Sequence, residues 1–401
     1  KMIKRLLLLT AFCMLLSCKT TSSVQIMASG TIAATNYSDT IAFNFDYNLP
    51  LIAVEIEGKA YNFLLDTGAP SVISPELFEK LQLKGKSSTK ISDSNNTSNT
   101  EILTHVPNMK IGNLTYENIG VFVIDLKQSY ALKCFKLDGI IGANQMAKSY
   151  WKLDYENKLC IISSEFQQST VQDFEIVNFI PKRGQLTPLV NLEIESIMFN
   201  QVTFDTGYNG AISLPYEKKL DSIFQRKVIN YGSESAGIYG LGTTKDIHET
   251  EVSVTKMDAL ELQNQMVSFS EDPSMTIGNE VFKYYTIVFD WQTRKMFFKR
   301  NNLEQKSNEL LSFGFSFMKI QNTIQIVRLI KNSEAEKLGM KIGDELISIN
   351  ETKMHDLTDE KLCDYLFFGF KKFKLGETIN VKIKRNNEEL NFKLTRENFL
   401  N

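Results

Sequence analysis

The tripeptide Asp-Thr-Gly occurs twice in the chain, at residues 66–68 and 205–207, and each copy lies between apolar segments. One copy means little, because a chain of this length and ordinary composition carries ~0.06 copies by chance. Two copies with matching flanks require a joint explanation. Two symmetric turns can hold the carboxylates of Asp66 and Asp205 together, so that the pair shares one proton and acts as base and acid on the same water.

The spacing after each tripeptide also repeats. Gly142 ends an apolar segment downstream of Asp66, and Gly278 ends a similar segment at nearly the same separation from Asp205. The repeat period, from Asp66 to Asp205, is too long for a solenoid. It indicates a duplication into two similar lobes.

Short apolar segments separated by turn residues predict β-structure throughout both copies, as lobe 1 at 39–165 and lobe 2 at 181–303. A hairpin at 51–65, with its turn at Gly58-Lys59, delivers Asp66 at the end of its second strand. Short helices are predicted at 75–81 and 215–220. Each lobe closes with a hairpin in which an aspartate, Asp154 or Asp290, is expected to form the turn, and Asp138 is expected to be structural.

Two segments have more than one interpretation. The polar tract at 85–100 is either an exposed loop or a mobile flap over a cleft. The glycine-rich run at 237–242 is either a second flap tip or an ordinary loop.

The N-terminus predicts export. Lys4-Arg5 precede a short apolar run, so residues 1–17 are typical of a signal peptide. The run is too short to span a bilayer stably. Cys18 follows Leu15-Leu16-Ser17, which resembles a bacterial lipobox, so Cys18 is the expected lipidation site; an ordinary cleaved signal is the alternative. Residues 18–38 are rich in Ser, Thr and Ala and predict a tether.

Composition excludes several classes of function. A net charge of −2 and the absence of a basic stripe give no reason to expect a nucleic-acid partner. No Cys/His spacing indicates a metal site, and no cofactor is expected. The three cysteines beyond the leader, Cys134, Cys160 and Cys363, are predicted to be free or buried thiols.

The duplicated pattern resembles the retropepsin and pepsin class of aspartic proteases over roughly residues 45–300. The second half is the closer match, because 276–278 and 284–290 are similar to the closing segment of pepsin-like C-terminal lobes. The resemblance implies that the two tripeptide loops meet on a pseudo-twofold axis. It implies a catalytic dyad with supporting threonines and glycines: Asp66, Thr67, Gly68, Asp205, Thr206 and Gly207. Tyr208 is larger than the Ala, Ser or Thr usual at its place and bears on the geometry of the second half-site.

The pattern changes after about residue 303 to a small α/β module with a helix at 358–368. Residues 332–350 resemble part of a PDZ domain, and the resemblance covers 309–398. It implies a groove between a strand and the long helix. A loop around Phe313, Gly314 and Phe315 would bind a polypeptide C-terminus through backbone N–H groups. A degenerate module that only packs on the lobes is the alternative.

The fold class expected is therefore mainly β, with two duplicated retropepsin-like lobes and a small α/β PDZ domain. The leading hypothesis is an exported lipoprotein of the cell envelope, expected at the outer membrane, that hydrolyses peptide bonds and is held to the membrane by its N-terminal lipid. The rival hypothesis is a non-catalytic adaptor that binds peptides in the cleft and the PDZ groove. Pairing of equivalent lobes between two chains is a third arrangement, which the duplication within one chain makes unnecessary.

Overall fold

The structure, a computed structural model, describes residues 22–222, 224, 226–233 and 236–400. It is mainly β, which confirms the predicted fold class. The predicted signal peptide at 1–17 and the lipidation site Cys18 lie outside the described residues. Within the described residues, no helix combines the length and the apolar character needed to cross a bilayer.

Lobe 1 is built on an eight-stranded sheet. Its elements are α1 (Ser23–Ala28), β1 (Thr31–Ile32), β2 (Ser38–Ala42), β3 (Leu51–Ile56), β4 (Lys59–Asp66), β5 (Val72–Ile73), α2 (Pro75–Lys80), β6 (Ser87–Ser92), β7 (Ser98–Ile111), β8 (Leu114–Val123), α3 (Tyr130–Cys134), β9 (Gly139–Gly142), α4 (Ala143–Met146), β10 (Tyr150–Asp154) and β11 (Leu159–Ser163). The order of strands in the sheet is β1-β8-β5-β9-β4-β3-β7-β6. The β3–β4 turn lies at Glu57-Gly58, one residue earlier than predicted, because both residues adopt the positive φ that a tight hairpin turn requires.

Lobe 2 repeats this plan, and its first strand begins before residue 181. Its elements are β12 (Glu175–Asn178), β13 (Ile180–Pro181), β14 (Pro188–Ile194), β15 (Ile197–Phe204), β16 (Ile212–Pro215), β17 (Lys227–Gly232), β18 (Ala236–Gly237), β19 (Gly240–Leu241), β20 (Lys245–Met257), β21 (Leu260–Ser270), β22 (Thr276–Ile277), α5 (Asn279–Phe282), β23 (Tyr285–Asp290) and β24 (Lys295–Arg300). The short helix predicted at 215–220 is a 3-10 helix at Lys218–Ser222.

The closing hairpins of the two lobes form one six-stranded sheet, in the order β12-β24-β23-β10-β11-β2. Its centre is the antiparallel pair of β10 and β23, in which Trp151 lies opposite Phe289. Both side chains are fully buried, and they belong to one hydrophobic core that extends through both lobes. This shared sheet and core fix the lobes relative to each other.

The C-terminal unit continues the lobe 2 sheet. Its elements are β25 (Leu311–Ser312), β26 (Phe315–Ile320), β27 (Thr323–Ile330), α6 (Glu334–Lys337), β28 (Glu345–Ile349), β29 (Thr352–Lys353), α7 (Asp359–Phe368), β30 (Thr378–Arg385), β31 (Glu388–Thr395) and β32 (Glu397–Asn398). Strand β27 pairs with β17 of lobe 2, with Leu329 opposite Tyr231. Thr358 caps the predicted long helix by accepting a hydrogen bond from Lys361 N–H.

Helix α7 also packs on lobe 1. A disulfide joins Cys134 of α3 to Cys363 of α7, so the prediction of free thiols is wrong for this pair, whereas Cys160 is a buried free thiol. Tyr47 packs on Phe367 with ring centroids 5.3 Å apart. The C-terminal unit is therefore attached to both lobes.

The predicted tether is partly wrong as well. Residues 23–28 form α1, with Ile26 and Met27 buried against lobe 1. The Asn144 side-chain amide donates to the Met27 carbonyl at 3.1 Å. The two apolar side chains give this segment a surface to bury, which its Ser- and Ala-rich composition concealed.

Candidate active site

The two Asp-Thr-Gly loops are positioned by equivalent strand pairs. Strand β4 ends at Asp66 and pairs in parallel with β9, which places Asp66 beside Gly142. In lobe 2, β15 pairs in parallel with β22 and leads directly into Asp205. Glycine is required after both apolar segments, because a Cβ on Gly142 would lie 2.5 Å from the Ala69 carbonyl and one on Gly278 would lie 2.5 Å from the Tyr208 carbonyl.

The loops bind each other through their threonines, whose two hydroxyls make four hydrogen bonds between the lobes. Thr67 Oγ1 donates to the Phe204 carbonyl at 2.6 Å and accepts from Thr206 N–H at 3.1 Å. Reciprocally, Thr206 Oγ1 donates to the Leu65 carbonyl at 2.8 Å and accepts from Thr67 N–H at 3.0 Å. Both threonines are fully buried. Each hydroxyl therefore satisfies two backbone groups of the opposite lobe that would otherwise be buried without partners.

Asp66 and Asp205 lie at this junction, and the carboxyl of each lies against the glycine of the opposite loop. Each carboxylate also accepts the N–H of the glycine two residues later, at 2.8 Å in both loops. A Cβ on Gly68 would lie 2.5 Å from Asp205 Cγ, and a Cβ on Gly207 would meet the Asp66 carboxylate in the same way. The absence of a side chain at both glycines allows the carboxyls to approach.

The surroundings of the pair raise the pKa of both carboxyls. Burial is the main cause of the raised pKa of Asp66, and the charge of Asp205 adds to it. Burial also raises the pKa of Asp205, but the Gly207 N–H opposes the effect. Two carboxyls this close cannot both ionise easily, so the pair holds one proton.

Two asparagines that the sequence interpretation missed support the loops. Asn144 Oδ1 accepts from Ser71 N–H at 2.7 Å, just beyond the first tripeptide. In lobe 2, the Asn279 amide donates to the Thr206 carbonyl at 2.7 Å and its Oδ1 accepts from Tyr155 Oη at 2.9 Å. The sequence does carry a signal that could have found them. An asparagine follows each apolar-apolar-Gly segment by one or two residues, and it lies on the first turn of α4 or α5.

Tyr208 leaves the second loop symmetric with the first. The two hydroxyl-to-carbonyl bonds measure 2.6 and 2.8 Å, and the two bonds from threonine N–H to hydroxyl measure 3.0 and 3.1 Å. The Tyr208 ring lies against Gly210 and Gly278, where neither neighbour has a Cβ to oppose it. The ring thus lines the cleft beside Asp205 without separating the carboxyls.

Asp205 opens into a cavity of about 560 Å³, a volume suited to a ligand, which Gly207 and Tyr208 also line. Two hairpins border it. The tract predicted as a loop or flap forms the β6–β7 hairpin, and residues 236–241 form the β18–β19 hairpin. We call these the lobe 1 flap and the lobe 2 flap.

The flap tips contact each other. Tyr239 N–H donates to Asp93 Oδ2 at 3.0 Å, and the Asn95 amide donates to the Gly240 carbonyl at 3.0 Å. Tyr239 Oη also donates to Glu101 Oε1 at 2.8 Å. Since Ser94, Asn95, Ala236 and Leu241 line the cavity, the joined flaps form part of its wall.

The other predicted residues lie outside this cluster. Asp154 and Asp290 accept backbone N–H bonds in the hairpin turns that they were predicted to form. Asp138 accepts Asn62 N–H, a structural role.

In the C-terminal unit, Phe313 and Phe315 are buried, and Gly314 has a φ of 86° that favours glycine. Gly314 N–H already donates to Ser312 Oγ at 3.0 Å. Among the residues that the structure describes, no cluster of three or more His, Cys, Asp or Glu side chains is arranged to hold a metal ion.

Comparison with known proteins agrees with this architecture over two segments. Residues 52–144, which include Asp66 and Gly142, match the family of aspartyl proteases. Residues 312–395 match the PDZ domain. A search of curated proteins found no match. The chain therefore combines an aspartyl protease domain, matched over 52–144, with a C-terminal PDZ domain.

Proposed function

We propose that the protein is an aspartic endopeptidase in which Asp66 and Asp205 act together on one water. The observation that supports this most strongly is the meeting of two symmetric loops, which sets each carboxyl against the opposite loop and places Asp205 on the wall of a cavity. The aspartyl protease match covers the first loop only. The role of the second loop rests on its equivalent geometry.

The two carboxyls divide the work through the single proton that they share: one is protonated and the other is the ionised base. The base takes one proton from water while the water oxygen bonds to the peptide carbonyl carbon, and the protonated carboxyl gives its proton to the carbonyl oxygen. The C–N bond then breaks, the nitrogen takes up a proton, and the products are a carboxylic acid and an amine.

The proposal is tested by incubating an unfolded polypeptide with the full chain and with Asp66→Asn and Asp205→Asn separately. We expect both variants to lose cleavage, since neither carboxyl replaces the other. Asp154→Asn is the matched control, because that residue bonds within its own turn away from the cleft, and it should retain the wild-type rate. Wild-type cleavage by both dyad variants would refute the assignment. Binding of peptide without cleavage by the wild type would favour the adaptor hypothesis.

We further propose that the protein is exported and anchored by a lipid at Cys18, in the cell envelope at the outer membrane. The sequence from Lys4 to Cys18 supports the leader, and the Cys134–Cys363 disulfide supports an oxidising compartment. Mass spectrometry of the N-terminal peptide tests the anchor. An unmodified Cys18 in the mature chain would refute it.

A further inference from the structure

A series of hydrogen bonds that begins in lobe 1 ends at the Asp205 carboxylate in lobe 2. Gly207 N–H donates to Asp205 Oδ1 at 2.8 Å. The carbonyl of the same peptide group, that of Thr206, accepts from the Asn279 side-chain amide at 2.7 Å. Asn279 Oδ1 accepts in turn from Tyr155 Oη at 2.9 Å. We call this series, from Tyr155 through Asn279 and the Thr206–Gly207 peptide group to Asp205, the Tyr155 relay.

The direction of each bond in the Tyr155 relay is fixed. A backbone carbonyl only accepts, so Asn279 presents its NH₂ group to Thr206 and its oxygen to Tyr155, which must donate. Burial holds the pKa of Tyr155 well above its ordinary value, and the neighbouring Cys160 thiol has a pKa raised by burial as well, so both groups keep their protons. The positive ends of the dipoles in the relay therefore all point towards Asp205.

The members of the Tyr155 relay are held firmly between the lobes. Tyr155 follows β10, is buried, and packs edge-on against Phe43 and Phe45 with ring centroids 5.7 and 5.2 Å apart. Asn279 opens α5, is fully buried, and donates its backbone N–H to the Tyr208 carbonyl at 2.9 Å. A lobe 1 hydroxyl thus orients the side chain that bonds to the lobe 2 loop.

Lobe 1 is built differently at the matching place. Ala143 stands where Asn279 stands in lobe 2, directly after the glycine that ends the apolar segment, and its methyl group cannot donate. The side-chain amide of the next residue, Asn144, donates to the carbonyls of Met27 and Gly120, each at 3.1 Å. These bonds secure lobe 1 away from the peptide group of its own loop.

The tyrosine has no hydroxyl-bearing counterpart in lobe 2. Trp291 follows the closing-hairpin aspartate of lobe 2 as Tyr155 follows that of lobe 1, and its indole N–H donates to the Leu186 carbonyl in its own lobe at 3.0 Å. The two lobes therefore share the aspartates and the threonine bonds but differ in the relay. This difference places the two carboxyls in unequal surroundings.

The inequality has a definite sign. Donation to a carbonyl polarises its peptide group, so the N–H at the other end becomes a better donor. A stronger bond from Gly207 N–H favours the charged form of Asp205. Asp66, the charged group that faces Asp205, accepts the N–H of Gly68 at 2.8 Å, but Ala143 gives that peptide group no matching donor.

We propose that Tyr155 and Asn279 are positioning residues that make Asp205 the base of the dyad and leave the shared proton on Asp66. This inference rests on the proposed peptidase function and assigns the two roles within it. Both side chains are buried and neither lines the cavity, so they act on the reaction through the Thr206–Gly207 peptide group.

The pH profile of kcat/KM distinguishes the two possible assignments. The pair loses its first proton on the acid limb of the profile and its second on the basic limb. If Asp205 ionises first, weakening of the relay moves the acid limb only, because Asp205 is charged both before and after the second step. If Asp66 ionised first, the same weakening would move the basic limb.

The test measures this profile for the full chain, for Asn279→Ala, which copies the lobe 1 residue, and for Tyr155→Phe, which removes only the hydroxyl. Because each bond in such a series strengthens the next by about 10–30%, we expect the acid limb of Asn279→Ala to move to higher pH by about half a pH unit. Tyr155→Phe should move it in the same direction by less. The basic limb should stay in place in both variants, and KM should change little.

Tyr285→Phe is the matched control, since Tyr285 is also buried in the shared six-stranded sheet, where its ring packs on Phe298 with centroids 5.8 Å apart. Its profile should coincide with that of the wild type. An acid limb that is unmoved in both relay variants, or a shift confined to the basic limb, would overturn this inference and leave the peptidase proposal intact. Absence of any wild-type cleavage that depends on Asp66 would overturn both.

Discussion

Replacement of Thr67 by valine tests how the two loops are held together. Valine has nearly the shape of threonine, so the substitution removes the hydroxyl without leaving a cavity. The Phe204 carbonyl and the Thr206 N–H then lose their partners inside a fully buried junction. Each buried unsatisfied group costs about 1–3 kcal/mol, which gives a total loss of about 2–6 kcal/mol in the free energy of unfolding.

The same substitution should impair hydrolysis, because the alignment of the carboxyls depends on the alignment of the loops. A misplacement of about 1 Å can cost about 10²-fold in rate, and we expect kcat/KM to fall by up to that amount. Denaturant unfolding and cleavage of an unfolded polypeptide measure the two effects.

Thr255→Val is the matched control for this experiment. Thr255 is also fully buried, but its hydroxyl has no hydrogen-bond partner among the residues that the structure describes. Removal of an unpartnered buried hydroxyl should leave stability unchanged or raise it, with no effect on activity. If Thr67→Val and Thr255→Val behave alike in both assays, the threonine bonds do not hold the site together.

Three further predictions concern charge, the disulfide and the flaps. Folding raises the pKa of Asp66, so the folded state binds more protons than the unfolded state, and stability falls as pH rises from the ordinary aspartate pKa through the raised one. Asp66→Asn should therefore raise the melting temperature at neutral pH and leave it unchanged in acid. Equal shifts of the melting temperature at neutral and acidic pH would contradict this. Loss of the Cys134–Cys363 disulfide, which spans 229 residues, should cost at most about 5.5 kcal/mol by the chain-entropy estimate. We expect a lower denaturant midpoint in Cys363→Ser, and an unchanged midpoint would show that the bond adds nothing to stability. Tyr239→Phe removes the hydrogen bond from Tyr239 Oη to Glu101 and should change kcat/KM several-fold with little change in stability. Kinetics identical to those of the wild type would show that this contact between the flaps does not affect access to the cleft.

The sequence was most informative about features that depend on residues close together in the chain. Asp66 and Asp205 could be selected because their tripeptides and the glycines that follow repeat at nearly equal spacing. The hairpins and the helix capped by Thr358 follow from turn and capping residues. Tyr208 was the departure from the pattern, and its bulk is accommodated by the glycines around it.

Long-range contacts were not visible in the same way. Cys134 and Cys363 are far apart in sequence, and neither lies in a motif, so nothing indicated that they pair. The contact between Tyr239 and Asp93 depends on how the lobes face each other across the cleft. The hydrogen bond from Tyr130 to Asp359 joins lobe 1 to the C-terminal unit, and no pattern within residues 309–398 could reveal it.

The central claim is that Asp66 and Asp205 act as one unit that shares a proton. A peptide analogue in which the amide to be cut is replaced by a secondary alcohol tests it most directly, since the hydroxyl takes the place of the attacking water between the carboxyls. We predict tight binding to the wild type in the pH range where the pair holds one proton, and a large, similar loss of affinity in Asp66→Asn and Asp205→Asn. Equal affinity for the wild type and both variants would contradict the account.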